Sequence, residues 1–81
     1  MLDFEPSAFK TSASIDEIRA RVAAAFRSNP LCRRIDFDVL AVPRTRKGSN
    51  WTVTIRAVNP EAVWEIPEIV ADVQAAYDLA A

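Results

Sequence analysis

Between Arg33 and Val58, apolar side chains recur at every second position: Ile35, Phe37, Val39 and Ala41, then Trp51, Val53, Ile55 and Ala57. A period of two places such residues on one face of a pleated strand. Pro43, Gly48, Ser49 and Asn50 interrupt the pattern, so it predicts two antiparallel strands joined by a loop longer than a tight hairpin turn. Both apolar sets are odd-numbered, and keeping them on one side allows only alternate registers. One sets Ala41 opposite Trp51 and Asp36 opposite Arg56; the next sets Asp38 opposite Arg56. Either gives Arg56 a carboxylate across the strand. The reverse face carries Asp36, Asp38, Leu40 and Val42 against Thr52, Thr54, Arg56 and Val58, polar at one end and apolar at the other.

On either side of this hairpin the period changes to that of a helix. Ile15, Ile18, Val22, Ala25 and Phe26 fall three or four apart and form one stripe. Ser14, with Glu17 three residues on, predicts a capping box, in which each end satisfies an amide of the other. Glu17 and Arg21, four apart in the favourable order, predict a surface pair worth about 0.3 kcal/mol. Ser28-Asn29-Pro30 predicts the stop, because the residue before a proline is pushed out of helical angles. After the hairpin, Asn59-Pro60-Glu61 reads as an N-cap with proline at the first helical position, opening a short turn that carries Val63 and Trp64. Pro67 then restarts or kinks the helix. Ile66, Ile69, Val70, Val73, Tyr77 and Ala80 form its stripe; Leu79 falls off it and is expected to be exposed or to touch a partner.

The first thirteen residues open with Leu2-Asp3-Phe4-Glu5 before Pro6, which reads either as a short edge strand or as an arm laid on the core. A two-stranded hairpin is not stable alone, so both helices must cover its odd-numbered face. The expected fold is α+β: a two-layer sandwich of (β)αββα order, with an antiparallel hairpin covered on one face by two helices. The alternative is a dimer in which two hairpins join edge to edge.

Composition narrows this picture. A chain of 81 residues makes one domain, 1–81, near the lower size limit for folding without metal or disulfides. A 51% hydrophobic content supplies a core, but much of it is Ala, which buries little area, so self-association would help stabilise it. Cys32 is the single cysteine, which rules out an intrachain disulfide and fits a reducing compartment. The opening residues lack the basic and apolar regions of a secretory signal, and no apolar run is long enough to span a membrane. The expected location is the cytoplasm, with no membrane association.

Net charge is −1, but it is segregated. Residues 1–18 hold four carboxylates against Lys10. Residues 19–56 hold nine cations against Asp36 and Asp38. Residues 57–81 hold Glu61, Glu65, Glu68, Asp72 and Asp78 and no cation. Such a layout suits an anionic partner for the middle, or a middle that faces its own acidic ends.

Catalytic chemistry finds little support. There is no His, hence neither the commonest general base nor the commonest metal ligand, and a lone Cys with scattered carboxylates has no metal-site spacing. The single glycine, Gly48, rules out glycine-rich phosphate loops. Cys32 beside Arg33 and Arg34 is the one reactive-group candidate, since neighbouring cations lower a thiol pKa. No enzymatic activity, metal or cofactor is expected.

Two binding surfaces are. Arg44, Arg46 and Lys47 at the hairpin tip, with Trp51 at its base, are the candidate contacts for an anionic ligand such as a nucleic-acid backbone. Leu40, Val42, Thr52, Thr54 and Val58 on the reverse face are the candidate protein contacts. The slightly negative total ranks nucleic acid second. The expected function is a non-catalytic binding domain that works by homodimerisation or through a protein partner.

Overall fold

The computed structural model describes residues 10–44, 46 and 48–80. Its elements are strand β1 (Thr11–Ala13), helix α1 (Ile15–Arg27), a 3-10 turn at Pro30–Cys32, strands β2 (Asp36–Ala41) and β3 (Trp51–Ala57), a second 3-10 turn at Pro60–Ala62, helix α2 (Ile66–Ala76) and strand β4 (Tyr77–Leu79). Two helices pack on a small sheet layer, the two-layer α+β arrangement expected. The Leu2–Glu5 strand or arm lies outside the described residues.

Local chemistry sets the boundaries of α1. The Ser14 hydroxyl accepts from Glu17 N–H at 3.1 Å, and the Glu17 carboxylate accepts from Ser14 N–H at 3.1 Å, which completes the capping box. That use of Glu17 displaces the expected pair with Arg21, whose guanidinium instead lies 5.7 Å from the centre of the Tyr77 ring. Asn29 caps the Pro30–Cys32 turn through Leu31 N–H, and Asn59 caps the Pro60–Ala62 turn through Glu61 N–H. The same Asn-Pro device thus opens both turns, and the two turns pack on each other.

In the hairpin, Ala41 pairs with Trp51, Val39 with Val53 and Phe37 with Ile55, the first of the two registers. A bulge follows: Asp36 pairs with Ala57, not with Arg56 as expected, so Arg56 has no residue directly opposite. Its guanidinium compensates by reaching Asp36 at 2.8 Å, Asp38 at 3.5 Å and the Phe37 carbonyl at 3.3 Å.

The final stripe departs from expectation. Helix α2 ends at Ala76, and Tyr77–Leu79 is a strand paired in parallel with β1, Thr11 to Tyr77 and Ala13 to Leu79. Tyr77 and Leu79 keep their apolar contact with the core through this change, so Leu79 is packed rather than exposed. Side chains tie the two strand pairs together. The Asn50 carboxamide donates to Leu79 C=O and accepts from Leu79 N–H, both at 2.9 Å. Trp51 Nε1–H donates to Tyr77 C=O at 3.0 Å, and the Gln74 amide donates to Trp51 C=O at 2.8 Å.

Trp51 therefore sits at the centre, with Ile18, Val22, Phe26, Cys32, Val39, Ala62, Val70 and Val73 buried around it. Phe26 from α1 meets Phe37 from β2 edge to face, with ring centres 5.1 Å apart.

Candidate functional site

The basic tip of the hairpin is partly tied down by the fold. Arg44 lies bidentate on Asp78 of β4, at 3.2 and 3.3 Å, and donates to the Gly48 carbonyl as well. Lys10 approaches the same pair, donating to Gly48 C=O at 3.0 Å with its ammonium 3.8 Å from Asp78. The Lys10 side chain is only 6% exposed and that of Asp78 17%, so the carboxylate neutralises two cations in a half-dry site. Gly48 adopts a φ of 89°, which a side chain would resist, and this presents its carbonyl to both donors. Of the three candidates for anionic contact, Arg44 has an internal partner, Arg46 is exposed, and Lys47 lies outside the described residues. Trp51 is fully buried and has no ring face to offer a base.

The reverse face of the hairpin is mixed. Leu40 is 46% exposed and Thr54 is exposed, while Val42 and Thr52 are half-buried and Val58 packs against the core. At its polar end Asp38 accepts from Arg19 of α1 at 2.9 Å and from its neighbour's amide, Val39 N–H, at 2.9 Å; Arg19 also holds Asp16 at 2.9 Å. Those hydrogen bonds, Arg19 first, hold the Asp38 carboxyl below the usual carboxylate range. Asp36 is lowered likewise, chiefly by its hydrogen bond from Arg56, and Arg56 is raised in return. This end of the hairpin is an ion-pair lattice joining α1 to β2 and β3; the alternating pattern revealed the cross-strand partners of Arg56 but not the Arg19 link to α1.

No family model, curated protein or solved structure matches this chain.

Cys32, the last residue of the first 3-10 turn, is fully buried. Burial pushes its thiol up, and the carboxylate of Glu65 adds to the push. The neighbouring arginines, exposed to solvent, do not reverse this, so Cys32 fits a packed apolar residue after the helix stop better than a reactive thiol. Among the described residues no group of three or more His, Cys, Asp or Glu side chains gathers to hold a metal ion. Among the same residues no helix is long and apolar enough to cross a membrane.

Trp64 is 85% exposed and the adjacent Val63 45%, both in the turn between the Pro60–Ala62 segment and α2. Val63 N–H bonds to Pro60 C=O, Glu65 N–H to Ala62 C=O and Ile69 N–H to Glu65 C=O, so the chain is helically wound from Pro60 into α2. On that winding Ala62, Ile66, Ile69, Val70 and Val73 face the core, and position 64 falls on the opposite side. The sequence carried this signal: a tryptophan half a turn away from an apolar stripe. Leu31, 40% exposed, lines a shallow groove of about 300 Å³ with Pro30, Arg33, Arg34 and Asn59 where the two 3-10 turns meet.

Proposed function

We propose that the chain is a small, non-catalytic binding domain of the cytoplasm, acting by self-association or by holding a protein partner. The observation that carries this reading is Trp64. A ring of this kind offers roughly 200 Å² of mostly apolar surface, and leaving it in water is unfavourable unless something covers it. Aromatic side chains standing out from a surface are also the residues that dominate binding energy in protein interfaces. The lack of any His supports a role without acid–base chemistry. The inaccessible Cys32 supports a role without a thiol nucleophile.

The hairpin tip supports anionic-ligand binding less well, since Arg44 is shared with Asp78 and the net charge is −1. If nucleic acid bound there, affinity would fall with salt at a log–log slope of about 2.

Sedimentation velocity over a wide range of protein concentration tests the proposal. A mass that rises reversibly is the expected result. A chain that stays monomeric throughout loses the self-association half. A photo-reactive side chain at position 64 then decides the other half, and the absence of any protein adduct in cell extract removes it.

A further inference from the structure

The geometry points to a specific mode of pairing: two copies of this chain meet at the end formed by the 3-10 turns, each seating Trp64 in the other's groove beside Arg33 and Arg34. This rests on the reading that the domain self-associates, and it assigns that association to a surface other than the reverse face of the hairpin.

Charge complementarity selects the occupant. Glu61 and Glu68 stand three residues before Trp64 and four after it, the spacing that puts all three on one side of a helical segment. Both carboxylates are exposed, as are Arg33 and Arg34 at the groove. Among the described residues none of these four charges takes part in an ion pair. The knob is thus an indole flanked by two anions, and the hole is a groove lined by Pro30, Leu31 and Asn59 together with two cations. Each half lacks what the other carries, in equal number. A second copy supplies both halves at once, whereas a purely basic or purely acidic partner would satisfy one and repel the other.

Position and size agree. Asn59 lines the groove, and Trp64 leaves the same short segment a turn later, so knob and hole lie close together. That closeness lets a two-fold axis pass between them, so that residue i meets residue j and j meets i, and the assembly closes as a dimer. The groove, at about 300 Å³, has room for an indole. A single-stranded nucleic acid, the other ligand that stacks on exposed aromatic rings, would meet Glu61 and Glu68 beside the ring it needs.

The test is sedimentation velocity on the full chain, comparing wild type with Trp64→Ala, Arg33→Glu/Arg34→Glu, Glu61→Arg/Glu68→Arg, the combination of both charge pairs, and Leu40→Ser. Urea midpoints confirm that each variant is folded; all these positions are exposed. Wild type is expected to dimerise reversibly. Trp64→Ala and each charge-reversed double variant should weaken the dimer at least about tenfold. The fourfold charge swap should recover to within about threefold of wild type, and Leu40→Ser should leave the dimer unchanged.

A wild-type chain that is monomeric at every concentration overturns both this pairing and the self-association reading. A dimer that survives Trp64→Ala and both charge reversals overturns this pairing alone, as does one lost on Leu40→Ser. Species larger than a dimer rule out the reciprocal geometry. Weakened doubles without recovery in the fourfold swap overturn the charge match. Trp64 emission shifted by an oligonucleotide, and not by raising the protein concentration, gives the surface to nucleic acid.

Discussion

Replacing Asn50 with alanine should be among the most damaging changes to a side chain outside the core. Its carboxamide takes both backbone groups of Leu79, donating to the carbonyl and accepting from the amide, at 2.9 Å each. It does for β4 what a neighbouring strand would do, on the edge that β1 leaves unpaired. Each hydrogen bond contributes about 1 kcal/mol net, and a group left without a partner costs about 1–3 kcal/mol when water cannot reach it. Leu79 is half-buried, so water replaces part of the loss, and Asn50→Ala should cost about 2 kcal/mol. In a domain of this size that lowers the melting temperature by about 8–16 °C. With a urea slope of about 1 kcal/mol/M, the midpoint falls by about 2 M. Urea unfolding followed by far-UV circular dichroism measures this directly. Asn50→Asp adds a second prediction of opposite chemistry. The carboxylate still accepts from Leu79 N–H but faces the Leu79 carbonyl with an oxygen, so at pH 7 the variant should be no more stable than Asn50→Ala. As pH falls toward about 4 the carboxyl gains a proton that it can donate, and the deficit relative to wild type at the same pH should shrink. A midpoint for Asn50→Ala within about 0.5 kcal/mol of wild type, or an Asn50→Asp deficit that ignores pH, would refute the proposition that this amide closes the sheet.

Three further outcomes are expected. Ser14→Ala removes one arm of the capping box and should destabilise the fold by about 1 kcal/mol, read from the urea midpoint, with Ser14→Gly costing less. Asp36 and Asp38 are held below the usual carboxylate range in the folded chain, so their contribution to stability is complete above about pH 5 and is lost as pH falls through their lowered folded-state values. Asp38→Asn should flatten the acid limb of a stability–pH curve, and an unchanged limb would show that the Arg19 contact contributes nothing. Cys32 in the native chain should react with a maleimide far more slowly than a model thiol, and its reactivity should rise through the same urea transition as the circular dichroism signal; a fast native reaction contradicts its burial.

What the sequence disclosed was local. The capping box at Ser14, the stop at Pro30, the Asn59-Pro60 opening and the alternation of the hairpin all depend on residues within a few positions of each other, and all are present. The end of helix α2 is not legible in the sequence because Tyr77 and Ala80 continue the helical spacing of Ile66, Ile69, Val70 and Val73. Neither glycine nor proline marks the change at Ala76. What ends the helix is a distant segment, Thr11–Ala13, and propensity read over a short window does not contain it. The same reason hid the partners of Arg44 and Lys10. In the sequence Asp78 is one of five carboxylates in the cation-free stretch 57–81, and only its place in a strand brings it under the hairpin tip. Trp64 was legible in principle from its angle to the stripe, but a turn residue between two prolines attracts no periodic argument.

The pairing of β1 with β4 has a kinetic side. These strands stand near opposite ends of the described chain, so joining them closes the longest loop the fold contains, an entropic cost that rises with length and slows folding. The hairpin and α1 can take shape from neighbouring residues as a nascent chain emerges. Until Leu79 has emerged, Asn50 has no backbone to complete, Trp51 has no carbonyl for its indole, and Arg44 and Lys10 have no common carboxylate. Completion of the core is thereby deferred to the last strand, and the unpaired Thr11–Ala13 edge is open to the wrong neighbour for as long as that wait lasts.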